Sequence, residues 1–243
     1  MKLIILNNKE DVVKKSALML FEEIKKNPSI VLGLATGNTM KPIYKKFVAL
    51  AQKNKLDVSK IITFNADEYI IDDKNKSMRY FMDRFLFKPL KIRKNNIHFP
   101  EHKVNGRNAK RICKKYEDKI MEFGGIDFQL LGVGRNGHIA FNEPGSNIKS
   151  KCRIVNLHKA TRENMSRNFK GLKKTPEKAL TLGIKNILEA KKIILVAFGF
   201  RKAEAIKKAG EELITKKVPA SFLRKHKNVT FIIDKEAGSL LKK

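Results

Sequence analysis

The stretch Phe128-Gln129-Leu130-Leu131-Gly132-Val133-Gly134-Arg135-Asn136-Gly137-His138-Ile139-Ala140-Phe141-Asn142-Glu143-Pro144 runs from an apolar segment into a glycine-rich bend. The bend carries an imidazole and a carboxylate five residues apart. A buried strand ending this way puts acid–base groups at the mouth of a sheet, where open α/β folds place their ligands. Gly132, Gly134 and Gly137 also spell the dinucleotide fingerprint G-x-G-x-x-G. A true fingerprint opens a helix that carries the pyrophosphate, with an acidic residue about 20 positions on. Here Pro144 and Gly145 cut any helix short, and no second strand ends in Asp or Glu at that distance. A nicotinamide site is therefore not expected. A plain tight turn explains the glycines but leaves the His and Glu beside them without a role.

Outward from the bend, apolar runs alternate with amphipathic ones. Residues 2–6, 30–34, 61–65, 128–133, 153–156, 179–182, 193–198 and 229–234 read as strands. Helical spacing covers 9–26, 40–52, 78–86, 109–123, 185–189 and 202–209, with a helical turn at 221–225. This alternation predicts a three-layer, Rossmann-like α/β fold: a mostly parallel sheet with helices on both faces. No repeat, low-complexity tract or linker interrupts the chain, so residues 1–243 are expected to form a single domain.

Composition narrows the classes. The chain has 243 residues, 42% of them hydrophobic, enough for one well-buried core. No stretch approaches a membrane span, and the apolar run at residues 1–7 is too short for a signal peptide. Cys113 and Cys152 are far apart in sequence and form no C-x-x-C pattern, which points to a reduced, cytoplasmic protein. The formal net charge is +29. The lysines fall as singles and doublets such as Lys14-Lys15 and Lys207-Lys208, with no long basic tract and no Trp. Solvated helix faces explain them better than a nucleic-acid platform. The diffuse positive field would still attract a phosphorylated substrate. His98, His102, His158 and His226 make no H-x-x-x-H pattern, so no metal is expected.

Four loops follow predicted strands. Strand 30–34 leads into Thr36-Gly37-Asn38-Thr39 and a helix, a turn able to hold phosphate with backbone amides and the helix dipole. It lacks the G-K-[ST] ending of a Walker loop. Strand 61–65 leads into Asp67 and Glu68, which as plain loop charges would only cap a helix. Strand 128–133 leads into His138 and Glu143, and strand 193–198 into Arg201 and Lys202. Cations in a first helical turn oppose the dipole unless an anion sits between them. In a parallel sheet all four loops share one edge.

These residues carry a resemblance. Residues 35–39, Phe64-Asn65-Ala66-Asp67-Glu68-Tyr69, Gly132 to Pro144, Thr161-Arg162-Glu163-Asn164-Met165-Ser166-Arg167, residues 176–183 and 202–205 resemble, in order, the glucosamine-6-phosphate deaminase family. The chain looks like its compact, non-hexameric branch, a monomer or small homo-oligomer. The resemblance implies conversion of glucosamine 6-phosphate and water into fructose 6-phosphate and ammonia without a metal or organic cofactor. By the same likeness Asp67 is the base that moves a proton between C2 and C1. His138 is the ring-opening acid/base, with Asn136 and Glu143 as partners. Thr36, Gly37, Asn38 and Thr39 form the phosphate loop. Arg167 and Lys202 are the phosphate cations, and residues 157–180 form a mobile lid.

Three departures from the better-known form matter. Asn136 stands where many members have Asp, so Glu143 is expected to dominate the electrostatics and Asn136→Ala to harm turnover less than Glu143→Gln. Asn38 replaces a second glycine, tolerable because Asn accepts a left-handed backbone. Val155 stands where regulated members have lysine, so no activation by an acetylated amino-sugar phosphate is expected. Two other readings stay open: a sugar-phosphate lactonase on the same scaffold, needing His138 but not Asp67, and a non-enzymatic phosphosugar sensor or nucleic-acid binder.

Overall fold

Hydrophobic alternation along a strand must be satisfied on both faces of a sheet, and here helices cover both. We describe this from a computed structural model that covers residues 1–242 except His102 and Lys103; the side chains of Ala160, Asn164, Arg167 and Asn168 also lie outside the description. The chain opens with β1 (Lys2–Leu6), α1 (Lys9–Lys26), β2 (Val31–Leu34), α2 (Met40–Lys53) and β3 (Ile62–Asn65). Next come β4 (Asp67–Tyr69), α3 (Met78–Met82), β5 (Ile97–His98), α4 (Ala109–Glu122) and β6 (Phe128–Gly132). Then follow β7 (Arg153–Asn156), α5 (Lys159–Met165), β8 (Lys178–Thr181) and α6 (Ile184–Leu188). The chain ends with β9 (Lys192–Ala197), α7 (Ala203–Gly210) and β10 (Val229–Asp234).

Seven strands form one parallel sheet in the order β1-β10-β9-β6-β2-β3-β5. From β2 the chain moves outward to β3 and β5; from β6 it moves the other way to β9 and β10. The direction reverses between β2 and β6, and α/β sheets open a ligand crevice at such a point. Alternate residues serve opposite cores. Val31, Leu131, Leu195 and Phe231 enter the layer with Ile112 and Ile206, while Leu32, Leu130, Ile194 and Ile232 enter the layer with Leu20 and Phe47.

Local chemistry sets the helix ends. Asn8 caps α1 by accepting from the Asp11 N–H at 3.0 Å. Glu10 and Asp11 lie in its first turn and Lys25 and Lys26 in its last, complementing the helix dipole. The helix anticipated at 78–86 is α3 continued by a π-helical turn at Asp83–Phe87. The one at 202–209 begins instead as a tight turn, Phe200–Lys202, before α7.

The sequence pattern does not foretell a second sheet. β4, β8 and β7 pair antiparallel in the order β4-β8-β7, with Asp67 opposite Thr181 and Arg153 opposite Thr181 on the other side. Segments 153–156 and 179–182 are strands as expected but lie outside the parallel sheet. Asp67 and Glu68 are strand residues rather than loop charges. Ala66 makes the crossing, donating to the Leu34 carbonyl and accepting from the Leu182 N–H at 2.7 Å. Three-residue strands carry too short a pattern to register as periodic. Beneath this sheet Tyr69, Met78, Phe141, Leu157, Phe169 and Ala179 form a third apolar cluster. Cys113 and Cys152, distant in sequence, are both reduced and buried in the same core.

Removing a side chain from the central layer tests this packing. Leu195 is fully buried, so Leu195→Ala is expected to cost about 2–5 kcal/mol of unfolding free energy in urea titrations. Leu18 is 43% exposed on α1, and Leu18→Ala is expected to change stability by less than about 0.5 kcal/mol.

Candidate active site

The four loops leave β9, β6, β2 and β3, which are consecutive neighbours in the parallel sheet. They therefore share one edge, and their contacts join them. Met40 and Thr39, at the start of α2, lie against Gly132, where a Cβ would sit 3.5 Å from the Met40 methyl. Lys202, ending the tight turn after β9, donates from Nζ to the Val133 carbonyl at 2.7 Å.

The turn at Thr36–Thr39 suits an anion. Gly37 adopts φ 102°, and its carbonyl accepts from the Met40 and Lys41 N–H groups at 3.0 and 3.1 Å. Thr39 makes no side-chain cap, and the first turn of α2 has no acidic residue. The Met40 and Lys41 N–H groups are taken up by Gly37 and Pro42 has none, so what this end of α2 offers an anion is the helix dipole, with no acidic side chain against it. Asn38 is not among the residues with positive φ, so its replacement of glycine costs no strain. The Thr36 hydroxyl donates to the Met78 sulfur, tying the turn to α3. Burial, then the neighbouring Arg135 cation, holds the Lys202 ammonium down at about 8. An anion bound there would offset both effects. The Arg167 backbone lies in a short helical turn, Ser166–Phe169; its side chain lies outside the described residues.

Asp67 is only 4% exposed, and its Oδ1 has no hydrogen-bond partner among the described residues. Burial, reinforced by the adjacent Glu68, pushes its carboxyl up to about 7. Glu68 plays a different part. It accepts from the Tyr69, Met78 and Arg79 N–H groups at 2.8, 2.7 and 2.9 Å, capping α3 as a plain loop carboxylate would.

The bend after β6 is a built turn, with no helix between Val133 and Cys152. Gly134 N–H donates to the His138 carbonyl at 2.9 Å, and a Cβ on Gly134 would fall 2.3 Å from the His138 ring. Only glycine lets the imidazole fold back there. Its Nδ1 lies 2.8 Å from Asn136 Oδ1 and 3.4 Å from Glu143 Oε2. Asn136 Nδ2 donates to Glu143 Oε2 at 2.7 Å, which fixes the amide with its oxygen toward the ring. Both neighbours of Nδ1 are therefore acceptors, so Nδ1 carries the proton and Nε2 keeps its lone pair. Burial raises the Glu143 carboxyl, but the bonds from His138, Thr161 and Asn136 outweigh it and hold the group at about 2.

Two connections the sequence did not reveal complete the site. Phe141 N–H donates to Thr181 Oγ1 at 3.2 Å, and Asn142 Nδ2 to the Leu182 carbonyl at 2.9 Å. Since Thr181 pairs with Asp67, the loop of His138 and Glu143 and the strand of Asp67 meet on β8. Thr161 on α5 donates to Glu143 Oε1 at 2.5 Å. Nothing in a lone threonine within a charged helix signals that contact. Among the described residues no cluster of His, Cys, Asp and Glu is placed to hold a metal, and no helix is long and apolar enough to cross a membrane.

Comparison with known proteins adds to this geometry. Residues 8–232 match the family described as glucosamine-6-phosphate isomerases/6-phosphogluconolactonase. The chain is 45% identical to the glucosamine-6-phosphate deaminase of Thermoanaerobacter sp. (strain X514), covering 99% of this chain and 95% of that protein. Its fold matches the solved structure of a monomeric glucosamine-6-phosphate deaminase with a TM-score of 0.94 at 38% identity, over 99% of this chain and 100% of the other. The 6-phosphogluconolactonase of Trypanosoma brucei matches at TM-score 0.79 and 19% identity over 99% and 98%, a likeness of fold alone. The match across nearly the whole length makes this chain a member of the glucosamine-6-phosphate isomerase/6-phosphogluconolactonase family.

Proposed function

We propose that this protein converts glucosamine 6-phosphate and water into fructose 6-phosphate and ammonia. The observation that carries the reading is that β8 ties the strand of Asp67, a carboxylate only 4% exposed, to the loop that holds an oriented imidazole. The likeness to deaminases supports it over the lactonase alternative, for which the likeness is of fold alone. A nucleic-acid role finds little support: surface lysines such as Lys14, Lys114 and Lys208 pair along helix faces with Glu10, Asp118 and Glu204 at 2.8–3.0 Å.

The chemistry follows from these groups. The sugar phosphate is a closed ring, and opening it takes one proton from the anomeric hydroxyl and gives one to the ring oxygen. His138 Nε2 does both, while Asn136 and Glu143 hold Nδ1–H and stabilise the imidazolium. Asp67 then removes the proton at C2 and returns it at C1, leaving an imine at C2. Water adds to that carbon and ammonia departs. The turn at Thr36, Gly37, Asn38 and Thr39, with Lys202 and Arg167, holds the phosphate, and that grip positions the reacting carbons. No metal or organic cofactor enters these steps. With Val155 on β7, simple saturation kinetics without activation by an acetylated amino-sugar phosphate belong to the same proposal, as do cytoplasmic operation and a monomer or small homo-oligomer.

Asp67→Asn separates the two enzymatic readings. It is expected to lower ammonia release by about 10²–10⁴-fold and to abolish solvent-deuterium exchange at C2. A lactonase would tolerate it.

Geometry gives Asn136 more weight than its lack of charge suggested. It is the nearer partner of His138, at 2.8 Å, while Glu143 meets Nδ1 at 3.4 Å and also accepts from the Asn136 amide. Asn136→Ala and Glu143→Gln are therefore expected to reduce kcat to a similar degree. A mild alanine variant beside a severe glutamine variant would contradict the order of contacts.

The pH dependence has a definite sign. Asp67 must be ionised to act as a base, so kcat/KM falls as pH drops through about 7. Lys202 must be protonated to hold phosphate, so kcat/KM also falls as pH rises through about 8. The expected profile is a narrow bell; in Lys202→Gln the alkaline limb disappears and KM rises.

A further inference from the structure

We propose that Thr161 is a positioning residue for the proton relay: its hydroxyl, carried on α5, fixes the Glu143 carboxylate so that Oε2 faces His138. This role rests on the reaction proposed above and deepens it.

The two oxygens of the carboxylate are held from different sides. Oε2 receives Asn136 Nδ2 at 2.7 Å and lies 3.4 Å from His138 Nδ1. Among the described residues, Oε1 receives only the Thr161 hydroxyl, at 2.5 Å. A carboxylate held at one oxygen turns easily about its terminal bond, because that torsion is broad. A second fixed oxygen sets its plane. Thr161 is well suited to fix it, being 5% exposed and carrying a β-branched, stiff side chain. Without that hydroxyl the half-buried Oε1 would lose the donor it has among the described residues, a costly state for an ionised group.

The helix that brings Thr161 also reaches the base strand. Met165, one turn further on α5 and on the same face, accepts from the Tyr69 hydroxyl at 3.1 Å. Tyr69 lies two residues after Asp67 on β4 and packs against Phe141 and Phe169. One face of α5 thus touches the strand of the base and the carboxylate of the relay. Arg162 anchors the segment by donating to the Leu172 and Thr175 carbonyls, each at 3.3 Å. Seating α5 aligns Glu143, and Thr161 is the atom-level link.

Thr161→Val, which keeps the shape and removes the hydroxyl, and Thr161→Ser, which keeps the hydroxyl, test this on the full chain with glucosamine 6-phosphate. The valine variant is expected to lose about 10–100-fold in kcat with KM nearly unchanged, because the phosphate grip lies elsewhere. Serine is expected to restore most of the rate. The limb set by Asp67 should stay in place, while ¹³C-carboxyl titration should show Glu143 protonating at higher pH in the valine variant, having lost a donor to its charged form. Wild-type kcat in the valine variant, a serine variant no better than valine, or a displaced Asp67 limb would each overturn the assignment. If thermal melting shows the valine variant unfolded, Thr161→Ala repeats the comparison. Inactive wild-type protein would defeat the proposed reaction itself; active wild type with an unimpaired valine variant defeats only the role of Thr161.

Discussion

The parallel pairing of β2 with β6 is the constraint on which the site depends. It is short, with only Leu32 opposite Phe128 and Gly33 opposite Gln129. It forms because Gly33 has no side chain: a Cβ there would fall 2.2 Å from the Gln129 side-chain oxygen. On either side of this seam the chain departs in opposite directions. The turn after β2 and the bend after β6 therefore open beside each other, and α2 can rest its first turn against Gly132. The glycine turn before α2 and the bend carrying His138 become neighbours through backbone geometry.

The small antiparallel sheet then brings in the third component. At the end of β3 the chain passes from one sheet to the other through Ala66, and Asp67 is the first residue beyond the crossing. Leaving the parallel sheet puts this carboxylate, only 4% exposed, within electrostatic reach of the buried Tyr44, Tyr69 and Tyr116. Burial destabilises its charged form and raises its pKa to about 7, where a carboxylate both ionises near neutrality and accepts a proton readily. Glu68, its neighbour in sequence, alternates to the other face of β4 and finds three backbone donors. Adjacent carboxylates thus acquire separate roles from the two-residue period of a strand.

Polarity in the relay is set by a chain of donors with one direction. Thr161 and Asn136 donate to Glu143, and Asn136 presents its oxygen to His138. Each bond determines the orientation of the next, so the tautomer of the imidazole follows from a carboxylate seven residues from Asn136. The alternative tautomer would leave two acceptors facing each other. In a partly buried site that arrangement costs more than a neutral hydrogen bond returns.

Much of this was legible in the chain itself. Apolar runs and helical spacing located nearly every long element, because periodicity over many residues reports burial directly. The bend Gly132 to Pro144, the turn Thr36 to Thr39 and the pair Asp67-Glu68 stood out through their place after strands and the resemblance they carry together, since singly Gly, Asn, Thr and Asp are ordinary turn residues. What the chain could not disclose was pairing. Three-residue strands such as β4 carry no readable period, so the second sheet was invisible. The bond of Thr161 to Glu143 joins residues on separate elements, and the nearness of Asn136 to the imidazole depends on how one loop folds. Cys113 and Cys152 looked unrelated until α4 and β7 packed together. Sequence determines what each segment buries and which groups it carries, because those are local properties of side chains. Which groups face each other, and therefore which carboxylate is buried with an oxygen left without a donor among the described residues and which becomes a hydrogen-bond anchor, depends on chain crossings and desolvation that exist only once the sheets have closed.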